Sequence, residues 1–126
     1  MRQGVAVLLF LFISSTGFSQ TKYEKVKAIF QDLAAKNPQT TRLFKVGDSD
    51  SGDSILGMQI GNGPTRNLVV ATHHGNEYGA AYVATAFANY LAAQPLADQT
   101  LFVIPVLNIG GYNAGQRREN ARGQSW

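Results

Sequence analysis

An α/β fold is predicted by three features of the chain. Two short apolar runs, residues 67–71 and 100–106, flank a stretch at helical period over residues 78–93. Strand, helix and strand within about 40 residues form a βαβ crossover, which requires parallel pairing and a right-handed connection. Upstream, residues 41–46 and 54–60 read as two strands joined by a polar turn, which adds a hairpin to the parallel unit. The chain of 126 residues is long enough for one small domain, and 44% hydrophobic with 10% aromatic residues suits a globular protein.

Part of that apolar content lies outside any core. Met1 and Arg2 precede an apolar run over residues 5–13, followed by Ser, Thr and Gly. Residues 1–19 therefore read as a secretory signal peptide cleaved near Ser19 and Gln20. The alternative is an uncleaved anchor, but the run falls short of the roughly 20 residues a helix needs to span a bilayer. Secretion or a periplasmic location follows, with no stable membrane insertion after cleavage. The mature chain, residues 20–126, keeps ten Lys and Arg against eight Asp and Glu once Arg2 is removed. Arg117, Arg118 and Arg122 form one local cluster, and no basic face interleaved with exposed aromatics points to a nucleic-acid partner. There is no cysteine, so no disulfide supports the fold, and an ordinary apolar core must hold it.

Thr21-x-x-Glu24 is a capping box that opens the first helix. Tyr23, Val26, Ile29, Phe30 and Leu33 then recur at helical spacing, and Asn37-Pro38 ends the run. In the second strand Leu56, Met58 and Ile60 share one face. The Asp-rich turn at residues 47–53 superficially suggests a calcium loop. Its Gly and Asp positions are out of register with an EF-hand and no Glu closes it, so a solvated turn is expected. Residues 67–71 read as a strand buried on both faces. Helix 78–93 carries Ala80, Ala84, Phe87 and Leu91 on one stripe, with small residues for close packing on a sheet. Pro105 cannot donate to a ladder and should lie near its strand's end. The strand ending at Val106 is expected to leave an open edge.

The chemistry concentrates in Thr72-His-His-Gly-Asn-Glu-Tyr78, directly after a buried strand and at a helix start. In doubly wound sheets sites gather at the carboxyl ends of strands. His74 and Glu77 lie three residues apart across a turn that Gly75 permits, and imidazole nitrogen with carboxylate oxygen is a typical zinc pair. Their nearest polar atoms should then lie within about 5 Å, as bonds of about 2 Å to one ion require. A bland surface pair is the alternative. His73 is less suited, because adjacent residues leaving a strand point to opposite sides. After the next strand come Leu107-Asn-Ile-Gly-Gly-Tyr112 and Arg117-Arg-Glu-Asn120, expected to face the same cleft. Arginine there suits an oxyanion or a substrate carboxylate, or else forms a solvated basic loop.

These residues resemble a known family, the zinc metallocarboxypeptidases of the M14 type, with relatives among the succinylglutamate desuccinylase and aspartoacylase deacylases. His74-Gly-Asn-Glu77 is similar to the first zinc-ligand motif, and Asn108-Ile-Gly-Gly-Tyr112 to the Asn-Pro-Asp-Gly-aromatic segment after the next strand. Arg118-Glu-Asn120, followed by Ala121-Arg-Gly123, resembles the stretch that supplies an oxyanion-stabilising arginine. Ile109-Gly110 replace the usual Pro-Asp. The resemblance covers residues 67–126, about half of the chain. It implies an αβα sandwich with a mixed, mostly parallel sheet, of which only the N-terminal part is present. It further implies one zinc ion held by His74, Glu77 and a third histidine not in this chain. Arg118 would be catalytic, and Arg118 and Asn108 would bind substrate. The implied activity is peptide-bond hydrolysis by a carboxypeptidase, inactive in this chain alone. The resemblance also implies an Asn-Arg carboxylate grip and a late glutamate base, neither of which can be placed here. An N-acyl amino acid deacylase, or a non-catalytic exported fragment, are the alternatives.

Overall fold

In the computed structural model, which describes residues 20–117, the chain runs α1 (Lys22–Lys36), β1 (Thr41–Asp48), β2 (Ser54–Ile60), β3 (Thr65–Val70), α2 (Tyr78–Ala93), β4 (Gln99–Ile104) and α3 (Ile109–Ala114). The strands form one mixed sheet in the order β1-β2-β4-β3. β1 pairs antiparallel with β2, and β2 with β4, while the crossover through α2 lays β3 parallel to β4. The α/β class and the mixed sheet are as the sequence predicts, although parallel pairing among these four strands is confined to β3 and β4. No described helix is long and apolar enough to cross a membrane. The proposed leader, residues 1–19, lies outside the described residues.

Thr21 caps α1, its Oγ1 accepting from the Glu24 amide at 3.2 Å. The reciprocal half of the box does not form, because Glu24 turns instead to Lys27 Nζ at 2.9 Å. Tyr23, Val26, Phe30 and Leu33 are buried, whereas Ile29 is exposed on the flank facing α2. Tyr23 fixes the helix to two other elements. Its hydroxyl donates to Ser54 O at 2.7 Å and accepts from the Leu56 amide at 2.9 Å, and its amide donates to Asn113 Oδ1 at 2.9 Å. Burial raises the Tyr23 pKa, which keeps the phenol neutral and able to donate.

The polar turn between β1 and β2 closes on itself, with the Ser49 amide bonded to Asp53 O and the Gly52 amide to Ser49 O. Asp48 is drawn to Lys45 and Ser54 within the hairpin. One sheet face carries Met58, Ile60, Leu101 and Val103 against Phe30 and Leu33 of α1 and Ala84, Ala88 and Leu91 of α2. The buried stripe of α2 is Ala81, Ala84, Ala88, Leu91 and Ala92. Phe87, placed on the buried stripe by the sequence reading, is 39% exposed. Alanine lets the helix settle close on the sheet beside α1, and the phenyl ring turns out to the flank. On the opposite sheet face the Phe44 ring lies over Gly57, where a Cβ would meet the ring at 2.4 Å, and meets Phe102 edge-on at 5.9 Å.

Two expectations about the strands are corrected. Among the described strands β3 lies at the sheet edge, and with Leu68 63% exposed and Val69 and Val70 half-buried it is not enclosed on both faces by the described residues. The run at residues 100–106 is strand only to Ile104 and lies inside the sheet between β2 and β3, so among the described strands the edges are β1 and β3. Pro105 follows β4 directly, where no ladder donor is required.

Replacing Tyr23 by phenylalanine keeps the ring but strands Ser54 O and the Leu56 amide. Tyr23→Phe should destabilise the chain by about 1–3 kcal/mol, read as a lower urea midpoint at unchanged slope. An unaltered midpoint would show that water replaces both bonds at no cost.

Candidate metal centre

Beyond β3 the chain stays in register for one more residue: the Ala71 amide bonds to Ile104 O at 2.9 Å and Ala71 O accepts from the Leu107 amide at 3.1 Å. Thr72 then turns the backbone with φ +56°, a left-handed conformation rare for a β-branched residue and costing on the order of 1–3 kcal/mol. Thr72 is almost wholly buried. Its hydroxyl donates to Pro105 O at 3.0 Å, and its carbonyl accepts from the Asn108 amide at 3.0 Å.

His74 follows two residues later and meets Glu77. His74 Nδ1 lies 2.7 Å from Glu77 Oε1, and the His74 amide donates to Glu77 Oε2 at 3.3 Å. The pair is well inside the separation the sequence reading requires. The side chains are 37% and 40% exposed, so the pair is reached by solvent. Glu77 is the N-cap residue of α2, yet its carboxylate makes no capping bond to the helix and turns back to His74. His73 is exposed, and the hydrogen-bonded pair is formed by its neighbour. The hydrogen bonds from the His74 side chain and amide, with smaller help from the charges of His74 and Arg117, hold the Glu77 pKa below the ordinary glutamate value.

The second motif closes against the first. A Cβ on Gly75 would stand 2.0 Å from Gly111 C, so the two backbones touch and the turn admits no side chain there. The Gly75 amide also donates to Arg117 O at 3.3 Å. Asn108 caps α3, its Oδ1 accepting from the Gly111 amide at 2.9 Å, while Nδ2 reaches His73 O at 3.5 Å. Both ends of that amide thus serve the local backbone. Arg118, Asn120 and Arg122 lie outside the described residues. Thr72 escaped the sequence reading, since nothing in a threonine at a strand end signals positive φ. The Gly75 contact carried one signal, the paired Gly110 and Gly111.

Imidazole nitrogen and carboxylate oxygen this close, open to solvent and at a strand's carboxyl end, fit two ligands of one divalent cation. Among the described residues no group of three His, Cys, Asp or Glu side chains gathers as a complete metal site.

A pH titration reads the pair directly. In the metal-free chain the Glu77 carboxyl should titrate below the ordinary glutamate range, and His74→Ala should move it upward. Because the folded pKa is lowered, the carboxylate's contribution to stability is complete above that range and is lost as pH falls through the folded value. Carbon-13 NMR of the carboxyl measures it, and a midpoint indifferent to His74→Ala would remove the contact.

The same architecture occurs in solved structures. A metallo-carboxypeptidase from Burkholderia cenocepacia superposes with a TM-score of 0.70 at 21% identity, covering 81% of this chain and 31% of that one. Carboxypeptidase A from Helicoverpa armigera gives 0.67 at 21% identity, with 79% and 28% covered. Bovine thrombin-activatable fibrinolysis inhibitor, solved in complex with tick carboxypeptidase inhibitor, gives 0.65 at 13% identity, with 80% and 37% covered. The chain thus spans about a third of the length of these structures. No curated protein matches it. The sequence model of the zinc carboxypeptidases matches residues 26–125, and the chain belongs to that family, peptidase M14.

Proposed function

We propose that residues 20–126 form the N-terminal part of a zinc carboxypeptidase catalytic domain, that His74 and Glu77 are two of its zinc ligands, and that the whole domain hydrolyses peptide bonds. The contact of 2.7 Å between His74 Nδ1 and Glu77 Oε1 carries the reading. Zinc, when bound, supplies Lewis acidity that polarises a carbonyl and makes water a better nucleophile near neutral pH. This chain's residues prepare the site. The bonds to His74 favour the Glu77 anion, and Nδ1 of His74 lies directly against that carboxylate, so the two ligand atoms stand side by side. Asn108, engaged with Gly111 and His73, steadies the floor between the two loops, and its part in substrate binding would be through that placement. Arg118, one residue beyond Arg117, supplies a guanidinium for the oxyanion that develops as the peptide carbonyl is attacked. Peptides are the proposed substrates.

Zinc binding should be weak in this chain by itself. The sequence holds two histidines, adjacent to one another, and no cysteine. Catalytic zinc normally takes three protein ligands and an assigned base must accept the water's proton. Calorimetry should show binding weaker than micromolar that His74→Ala and Glu77→Gln abolish, with no release of C-terminal residues from peptides. Submicromolar affinity with metal-dependent release would require further ligands. Within a complete domain, Arg118→Ala should lower kcat about 100-fold, and turnover of N-acyl amino acids in place of peptides would reassign the substrate class.

Residues 1–19 are proposed as an export leader, which places the enzyme outside the cytoplasm. N-terminal sequencing of the mature protein should begin at Gln20, and a start at Met1 would overturn export by cleavage.

A further inference from the structure

We propose that Thr72 is a positioning residue for the His74–Glu77 pair, acting through its hydroxyl. The inference rests on the reading of that pair as zinc ligands. β3 is extended, and a strand carried on past it would send successive side chains to alternate faces. At Thr72 φ becomes +56°, which ends the strand and turns the chain toward the start of α2, where Glu77 stands. Glycine takes this conformation freely, whereas a β-branched residue must be held in it. Thr72 is held from β4 and the segment after it. Its Oγ1 donates to Pro105 O at 3.0 Å and its carbonyl accepts from the Asn108 amide at 3.0 Å. Of these two bonds the side chain makes only the first, so the hydroxyl is the group whose loss frees the turn. The loop bearing His74 is thereby fixed to the loop bearing Asn108, and the imidazole is delivered within 2.7 Å of the Glu77 carboxylate. Thr72 itself touches neither His74 nor Glu77 through any described side-chain hydrogen bond.

A matched comparison is built into the fold. Thr100 is also buried and also donates its hydroxyl to a backbone carbonyl, Gly63 O at 2.7 Å, but at the opposite end of β4. Thr72→Val and Thr100→Val each remove one buried hydroxyl while keeping the branched shape. Both should lower the denaturation midpoint. Only Thr72→Val should affect the site.

The test titrates the full chain with zinc ion alone and follows the His74 imidazole signals by NMR. Thr72→Ser should bind within about threefold of the parent, Thr72→Val at least about tenfold more weakly, and Thr100→Val like the parent, as expected for a residue that orients a ligand. Equal affinity in Thr72→Val, or equal weakening in Thr100→Val, would overturn the proposal. Should Thr72→Val not fold, Thr72→Ser and Thr72→Ala decide the matter. Serine keeps the hydroxyl and should bind as the parent does, alanine lacks it and should bind at least about tenfold more weakly, and equal affinity of the two would overturn positioning by the hydroxyl. If the parent gives no saturable response that His74→Ala removes, the zinc reading fails by itself. Positioning is then read without metal, from the nuclear Overhauser contact between the His74 ring and the Glu77 side chain. It should persist in Thr72→Ser and vanish in Thr72→Val, and its survival in Thr72→Val would end the proposal.

Discussion

Parallel pairing of β3 with β4 sends the two loops of the candidate site out of the same end of the sheet. The register from Thr65 opposite Gln99 to Val70 opposite Ile104 continues past both strands, through Ala71 and Leu107, before the chains diverge. By then Thr72 and Asn108 are already hydrogen-bonded to one another. The His-x-x-Glu turn and the N-terminus of α3 are thus neighbours by construction, and their contact at Gly75 and Gly111 is close enough to exclude a methyl group. An antiparallel arrangement of the same strands would have put the two motifs at opposite ends.

The crossover helix sets how precisely that end is built. α2 carries no charged residue, and its alanines let it settle on β2 and β4 and beside α1. Its first residue follows Glu77, so the seating of the helix also fixes the carboxylate. α1 is held in turn by Tyr23, whose three hydrogen bonds reach β2 and α3. A second cluster of Tyr23, Val26, Ala81, Val106, Ile109 and Tyr112 lies under the site end and ties α1, α2 and α3 together. The apolar packing here therefore supports the loops as well as the sheet.

Much of this was legible from residues alone. Helical spacing and Thr21 located α1, the apolar runs located β3 and β4, and residues 78–93 matched α2. His74 and Glu77 stood out because a histidine and a carboxylate followed a strand at turn spacing. What could not be read was which strand lay at the edge. Residues 67–71 are as apolar as a central strand, and Leu68 is exposed because it stands with its neighbour Phe102 on the face turned away from α1 and α2. The α2 stripe was misassigned by one residue at Phe87 for a similar reason. Period identifies an amphipathic helix, but the second packing surface offered by α1 rotates the buried arc toward Ala81 and Ala88. The proposed chemical roles, above all that of Arg118, rest on the family resemblance, because residue pattern alone leaves them open.

Thr72 shows a different limit. Its conformation runs against its type, and local propensity would place it in a strand. Sequence reasoning works best where local preference and global fold agree, and residues that violate their preference are concentrated at functional sites. Here the violation lies two residues before His74, on a segment whose hydroxyl and carbonyl are both bonded across to the β4 side. The turn is tight because Gly75 permits contact and bent because Thr72 is restrained. These two constraints together bring His74 onto Glu77, where His-x-x-Glu spacing alone would leave a flexible surface pair.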